Sequence, residues 1–329
     1  MRFLVARTVT FRDREPWGEN VDVSDEIRLV DARGNRLPKS LRAVATRWFQ
    51  LQHGLQLLWK SRCYDAVAVG RHGVFLPILQ RLFGIKRRVV MTDTEWPGTG
   101  TGLVNHAAGM SSAAICCNTR WELENLSRRF EIPKEKFRLV LMAFQRPDMR
   151  EPRDEGYIFA GGDCGRDWNT FVEAVDGLPY EVRVFVTRTK LPRVPPNVTV
   201  AAVPRAEYYN QMAAASCVVV PTVHEQLRVT GTTTWINALG MGKVVIATDP
   251  CGAPDYMEQG VSGFYVGHGD MEALRRCIAK VMEDAELRKR VGQAARDRAW
   301  REFSPEAFRR QVLSLLDSVA LRGGSFGAA

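Results

Sequence analysis

No stretch of this 329-residue sequence approaches the roughly 18 uninterrupted apolar residues of a membrane span, so no transmembrane helix is expected. The apolar run within Met1–Thr10 is too short for a signal-peptide core and is soon followed by Arg12-Asp13-Arg14-Glu15. It reads instead as a first β-strand over Phe3–Thr10. CxxC spacing is absent, and the seven cysteines, Cys63, Cys116, Cys117, Cys164, Cys217, Cys251 and Cys277, are an odd number set mostly within apolar runs. A disulfide framework is therefore excluded. Buried, reduced thiols are expected, which implies a reducing compartment, the cytoplasm. Internal repeats and nucleic-acid-binding motifs are also missing, and no aromatic residue interleaves with the basic cluster Lys86-Arg87-Arg88. No nucleic-acid partner is expected.

What is present is the composition of a folded protein, with 45% hydrophobic and 25% charged residues. The length favours two domains. The net charge of +9 is uneven: residues 1–150 hold 25 Lys and Arg against 15 Asp and Glu, whereas 151–329 hold 21 against 22. A basic first half suits phosphorylated or acidic acceptors or an anionic membrane surface, with a plainly solvated face as the alternative.

Short apolar runs alternate with helical patterns, the signature of parallel βαβ units. In the first half, strands are expected at Phe3–Thr10, Ala66–Val69, Val89–Thr92, Ala113–Cys116 and Arg138–Met142. Helices are expected at Leu41–Lys60, Val74–Phe83 and Arg120–Phe130, the last capped by Asn118-Thr119. Residues 12–40 read as an irregular excursion, with a short hairpin as the alternative. Gln145–Gly156, rich in Pro, Arg, Asp and Glu, reads as a linker. Beyond it a second series begins, with strands at Tyr157–Ala160, Arg183–Val186, Val198–Ala201, Cys217–Val220 and Val244–Ala247. Helices are expected at Asn169–Val175, Ala206–Ala214, Thr232–Leu239, Met271–Glu283, Ala285–Arg301 and Pro305–Val319. The tail Arg322–Ala329 reads as disordered.

The chemically informative segment is Val218–Asp249. A buried strand ends at Pro221-Thr222, and after a polar loop Gly231 opens a helix whose first turn is Thr232-Thr233-Thr234. Backbone amides, a positive dipole end and three hydroxyls at a helix start suit phosphate oxygens, although Thr232 as a simple N-cap and Gly231 as a simple turn are the commoner use. A second loop, Gly161-Gly162-Asp163-Cys164-Gly165-Arg166-Asp167, follows the first strand of the second half. Its Arg166 can clamp a phosphate, or pair with Asp163 or Asp167 in a surface turn.

Residues 217–303 resemble the donor-binding half of GT-B glycosyltransferases, especially the retaining enzymes of glycosyltransferase family four. The resemblance rests on Pro221-Thr222, Gly231, Asn237-Ala238-Leu239-Gly240-Met241-Gly242-Lys243, Val244–Thr248, Gly252–Tyr256, Gly260–Val266 and Gly269-Asp270. It implies an α/β fold of two Rossmann-like domains facing across a cleft. An acceptor-binding domain is expected at 1–147 and a donor-binding domain at 148–304. A helix and tail at 305–329 would return to the first domain. It further implies transfer of a sugar from a nucleotide sugar to a glycan, lipid-linked or other acceptor, with retention, and with no cofactor and no metal. The diphosphate would be held by Gly161, Gly162, Arg166, Gly231, Thr232, Thr233 and Thr234, and the ribose by Asn237. Peripheral membrane association through the basic half is a further expectation.

Two departures stand out. The family carries two glutamates eight positions apart, and here those positions are Val229 and Asn237. Only one of the two loop cations is kept: Arg166 stands at the lysine position and Asp163 at the arginine position. These departures keep open a catalytically weakened nucleotide-sugar-binding protein, and a GT-B-like epimerase or phosphorylase is a third reading. Glu225, on the nearby loop, is a spare carboxylate. Asp93 and Glu95 close the strand Val89–Thr92 and are the candidate catalytic residues, facing sugar or acceptor. Their spacing also resembles the metal-binding Asp-x-Asp of the GT-A fold. Gly98–Gly102 reads as a flexible loop, with a second anion site as the alternative, and His72, His106 and His224 read as structural.

Overall fold

The computed structural model describes residues 1–7, 17–25, 39–85, 88–92, 102–223, 229–248 and 252–321. Two compact units emerge: Met1–Asn118 with Leu123–Val140 and Arg309–Ala329, and Thr119–Glu122 with Leu141–Phe308.

The first unit is built on β1 (Phe3–Arg7), β2 (Val21–Asp25), β3 (Ala66–Val69), β4 (Arg88–Met91), β5 (Ala114–Cys117) and β6 (Phe137–Leu139), joined by helices α1 (Lys39–Lys60), α2 (Phe75–Leu82), α3 (Gly102–Ser111) and α4 (Arg120–Phe130). All strand pairs are parallel, in the order β2-β1-β3-β4-β5-β6. The βαβ reading therefore holds, with two elements missed. The strand β2 lies within the stretch expected to be irregular or a short hairpin, and it pairs parallel with β1 instead. Its sequence, Val-Asp-Val-Ser-Asp, is a half-polar sheet edge that produces no apolar run. The helix α3 begins at Gly102, where a loop was expected, and glycine at both 102 and 109 lowers its helical signal.

The second unit contains β7 (Ile158–Gly161), α5 (Trp168–Val175), β8 (Val182–Phe185), β9 (Val198–Ala201), α6 (Arg205–Ala214), β10 (Cys217–Val220), α7 (Thr232–Gly240), β11 (Val244–Thr248), α8 (Ala253–Tyr256), β12 (Phe264–Val266), α9 (Met271–Glu283) and α10 (Ala285–Glu302). Its sheet is also parallel, ordered β12-β11-β10-β7-β8-β9. Strand residues alternate between two cores. Phe159, Val218, Val220, Val245 and Ala247 pack with Trp235, Leu239 and Phe303 on one face. Ile158, Ala160, Val219, Val244 and Ile246 pack with Phe171, Leu274, Ile278 and Val291 on the other. Coverage on both faces explains why these strands read as continuous apolar runs. The short elements α8 and β12 were not expected.

The Gln145–Gly156 segment, expected to be a linker, is strapped to the second unit. The amides of Arg153 and Glu155 donate to the carbonyls of Ala213 and Ala214. The buried Lys243 ammonium, whose pKa burial lowers to about 8, donates to the Arg153 carbonyl. The last helix, α11 (Pro305–Leu321), contributes its residues from Arg309 onward to the first unit. There the Arg88 guanidinium donates to the carbonyls of Val319 and, at 2.7 Å, of Ala320. A cation at a helix C-terminus is well placed against the dipole, so Arg88 is a structural cap rather than part of a solvated patch. Lys86 and Arg87 lie outside the described residues.

The cysteine expectation is met in part. Cys116, Cys117 and Cys217 are buried, and burial pushes the Cys116 and Cys217 thiols up to about 12. Cys63 and Cys164 are instead exposed, because they sit in polar turns rather than strands. Among the described residues no helix is long and apolar enough to cross a membrane.

Candidate functional site

In the second sheet the chain starts at β7, adds β8 and β9 on one side, then returns to add β10, β11 and β12 on the other. The loops leaving β7 and β10 must diverge, and in open parallel sheets ligands bind at this reversal point, outside the carboxyl ends of the strands. Both glycine-containing loops singled out in the sequence lie here. They are stitched together by backbone bonds: the Asp167 amide donates to the Pro221 carbonyl at 3.1 Å, and the Val223 amide to the Gly165 carbonyl at 3.2 Å.

Arg166 is the cation at this junction. Its Nε donates to the Gly161 carbonyl at 3.0 Å, one terminal nitrogen to the Cys164 carbonyl at 2.7 Å, and the other to Thr234 Oγ1 at 3.1 Å. The loop after β7 and the first turn of α7 thus meet through these two side chains. A guanidinium has five N–H hydrogens; three are used here, which leaves two for a ligand oxygen. Desolvation lowers the Arg166 pKa, partly opposed by Tyr208, Cys164 and Asp163.

Two of the glycines here show why a side chain must be absent. At Gly231, φ is 84°, and a Cβ there would come within 2.7 Å of Val220 Cγ1. This left-handed residue turns the chain into α7 and accepts from the amides of Thr234 and Trp235 at 2.9 and 3.1 Å. At Gly162, φ is 105°, and a Cβ would lie 2.5 Å from an Arg166 nitrogen. The guanidinium can lie against this backbone only because the side chain is missing.

Thr232 and Thr234 are buried at the start of α7, whereas Thr233 is exposed. The first amides of a helix have no intrahelical acceptor, so those of Thr232 and Thr233 add donors to the positive dipole end. Gly161, Gly162, Arg166, Gly231, Thr232, Thr233 and Thr234 are thus brought to one place. That cluster can neutralise and hydrogen-bond an anion with several oxygens.

Asp163 does not pair with Arg166. Its carboxylate accepts from the Thr187 hydroxyl and from the amides of Thr187, Arg188 and Thr189, pinning the turn after β8. Partial burial acts to raise its pKa, but these hydrogen bonds win and hold it well below the usual carboxylate range. Asp167 caps α5 by accepting from the Thr170 amide and hydroxyl. Neither surface ion pair weighed for Arg166 is formed.

Asn237 is a correction. It is fully buried; its Oδ1 accepts from the Gln145 amide at 2.8 Å, and its Nδ2 donates to the Tyr209 hydroxyl at 3.1 Å. An amide sealed from solvent with both ends engaged has no edge to offer a ribose. At the other glutamate position, the Val229 amide donates to the buried Glu122 carboxylate at 3.2 Å. Asp93, Glu95, His224 and Glu225 lie outside the described residues.

Sequence reading missed four groups near the junction. The Tyr208 ring edge and hydroxyl lie 2.8 Å from where a Cβ on Gly161 would be, and burial raises the Tyr208 pKa. The Thr248 hydroxyl accepts from the Thr222 amide at 2.6 Å. His268 sets Nδ1 3.2 Å from the Thr222 carbonyl and 3.6 Å from Asp167. Glu122 is the fourth. None lies in a recognisable spacing, since each arrives from a different element. Among the described residues no group of three or more His, Cys, Asp or Glu could hold a metal ion.

Comparison with known proteins follows the same line. Sucrose-phosphate synthase from Thermosynechococcus elongatus is similar over 98% of this chain and 89% of its own, with a TM-score of 0.68 and 15% identity. Anabaena HepE, solved in complex with UDP, is similar over 91% of this chain and 86% of its own, with a TM-score of 0.65 and 15% identity. At such identities the likeness shows the fold, which is GT-B. A capsular polysaccharide biosynthesis glycosyltransferase, CapM of Staphylococcus aureus, is 31% identical over 83 residues, covering 25% of this chain and 22% of that protein. The aligned segment therefore spans about a fifth of the curated relatives' length. Residues 199–298, which carry β10, the Gly231 turn and α7, match the family of glycosyl transferases group 1, and they do so on a GT-B fold.

Proposed function

We propose that this chain is a glycosyltransferase that moves a sugar from a nucleotide-diphosphate sugar to a glycan or lipid-linked acceptor. The observation that carries this reading is the 3.1 Å contact between Arg166 and Thr234, which joins two glycine-hinged loops at the strand-order reversal. In the transfer, the bond from the anomeric carbon to the diphosphate oxygen breaks as an acceptor hydroxyl oxygen bonds to that carbon, and the hydroxyl proton is lost. Negative charge develops on the departing diphosphate. Arg166, the Thr232 and Thr233 amides and the dipole of α7 are arranged to stabilise that charge more strongly as it grows. These groups serve the site without a metal or other cofactor, and EDTA is expected to leave nucleotide affinity unchanged.

HepE has been solved with UDP and with UDP-glucose, which supports a nucleotide sugar as the donor. CapM is named for capsular polysaccharide biosynthesis, which supports a glycan-type acceptor. We assign acceptor recognition to the basic first half, with retention of anomeric configuration.

A second reading, a nucleotide-sugar-binding protein of weakened activity, is favoured by Val229 and by the sealed Asn237, where the resemblance calls for two glutamates. Product analysis separates the two. A transferase releases nucleoside diphosphate only when acceptor is present, whereas a binder releases none. Calorimetry with nucleoside, nucleoside diphosphate and nucleotide sugar tests the shared premise, since affinity must rise steeply once the diphosphate is present.

A further inference from the structure

Helix α1 carries large apolar residues on both of its sides. One side packs inward in the ordinary way: His53, Gly54, Leu57 and Leu58 are buried, a Cβ on Gly54 would meet Phe75 at 2.9 Å, and Gln80 of α2 donates to Ser61 at 3.2 Å. The opposite side should be polar. Instead it presents Val44, Trp48, Leu55 and Trp59, spaced by four, seven and four residues along one face and 67%, 62%, 47% and 71% exposed. Single exposed apolar residues are unremarkable, but two tryptophans and two aliphatic residues aligned on one helix form an apolar stripe, with Gln52 and Gln56 exposed at its side.

Charge says what covers it. The 22 residues of α1 contain four basic residues, Lys39, Arg42, Arg47 and Lys60, and no acidic one. Beside the stripe, Lys60 is exposed, and the Arg62 guanidinium lies 4.3 Å over the Trp59 ring. The half of the sequence that contains α1 carries the whole positive excess, 25 basic against 15 acidic residues. An apolar stripe with two tryptophans, flanked by cations on long stems, fits the boundary between acyl chains and anionic headgroups. A second copy of the chain would bring the same cations against each other.

We propose that the Trp48–Trp59 face of α1 docks this protein on an anionic phospholipid surface, with Trp48 and Trp59 entering the headgroup layer while Lys60 and Arg62 meet lipid phosphates. The proposal does not depend on the glycosyl-transfer reading, because α1 contributes nothing to the diphosphate site.

The test is vesicle flotation of the full chain, comparing phosphatidylcholine vesicles with vesicles in which about a third of the lipid is phosphatidylglycerol. The parent should float with the anionic vesicles, more weakly at high salt, and poorly with the neutral ones. The double variant Trp48→Ser/Trp59→Ser should lose about tenfold or more in partitioning, and Lys60→Glu/Arg62→Glu should lose the preference for anionic lipid. Circular dichroism and nucleotide affinity should stay at parental values in both. Lipid-soluble photolabelling of the unmodified protein, with the labelled peptide mapped to α1, provides a readout that needs no variant. A parent that floats with neither vesicle, or floats as well after loss of both tryptophans, overturns the proposal. So does light scattering that shows a parental dimer, dissolved by the tryptophan variant, with no lipid binding: the stripe is then a self-association surface.

Discussion

Each of the two sheets reverses its strand order once, between β1 and β3 in the first unit and between β7 and β10 in the second. Topology alone therefore offers two equivalent places for a ligand. Side chains make them unequal. At the second reversal, Arg166 lies between two left-handed glycines and reaches the buried Thr234. At the first, the strand β3 leads into Gly70-Arg71-His72-Gly73, a single 3-10 turn at its centre, and the segment after β1 lies outside the described residues. The first unit instead carries its distinctive chemistry outward, on α1 and in the Arg88 clamp. The lesson is that a doubly wound sheet supplies a crevice, whereas oriented charge decides which crevice can bind an anion.

The strongest way to break the contrast is Gly231→Val. A left-handed non-glycine residue costs about 1–2 kcal/mol and overpacking against Val220 about 1–3 kcal/mol more, so thermal unfolding should drop by several degrees and nucleotide binding should vanish. A variant with parental melting temperature and affinity would show that this turn is not required.

Arg166→Ala comes next. Losing a charge-assisted contact of about 1.5–3 kcal/mol should weaken nucleoside diphosphate binding roughly ten- to hundredfold while sparing the bare nucleoside. If calorimetry on a folded variant finds diphosphate affinity unchanged, the second reversal point is not the donor site. Thr234→Val keeps the side-chain shape but removes the acceptor that holds one guanidinium nitrogen of Arg166, and about 1 kcal/mol of diphosphate affinity should go with the less firmly held cation. The two losses should be less than additive, since each change also frees the other partner, and a double-mutant cycle measures that coupling.

The mildest change sharpens the contrast from the other side. Arg88→Ala removes the cation at the end of α11 and should cost about 0.3–1 kcal/mol of stability, read by denaturant melts, with nucleotide affinity unmoved. A loss of nucleotide binding in this variant would mean that the two units do not divide their roles as proposed. Acid adds an internal check on the donor loop. Because Asp163 has a depressed pKa, its hydrogen bonds to the turn at 187–189 stabilise the fold above the ordinary carboxylate pKa. That contribution fades as pH falls below it, and Asp163→Asn should flatten this part of the pH–stability curve.

Much of the second unit was legible because its strands are buried on both faces. Cys217–Val220, buried throughout, is seen at the expected bounds; so are the mostly exposed edge strand Val198–Ala201 and the helix at Met271–Glu283. The first unit was harder, since the half-polar β2 and glycine-bearing α3 weaken the two signals on which such reading depends. At the site, Gly231, Arg166 and Thr234 were legible because each has a local reason: a turn that needs a left-handed residue, a lone cation in a glycine loop, and hydroxyls in a first helical turn. Asn237 misled because its spacing within α7 says nothing about what packs over it. Only the fold puts the Gln145 amide and the Tyr209 hydroxyl against its two ends.

The sequence by itself determined the α/β class, the two series of βαβ units and the positions of the two glycine-bearing loops, because these follow from apolar period and from residues whose conformational needs are local. Tertiary structure alone decided that Arg166 meets Thr234 across 68 positions, that Asp163 pins a neighbouring turn instead of pairing with it, and that α1 turns its tryptophans outward. Each of these depends on which element lies beside which, and that is settled by packing the whole sheet rather than by any residue's own preference.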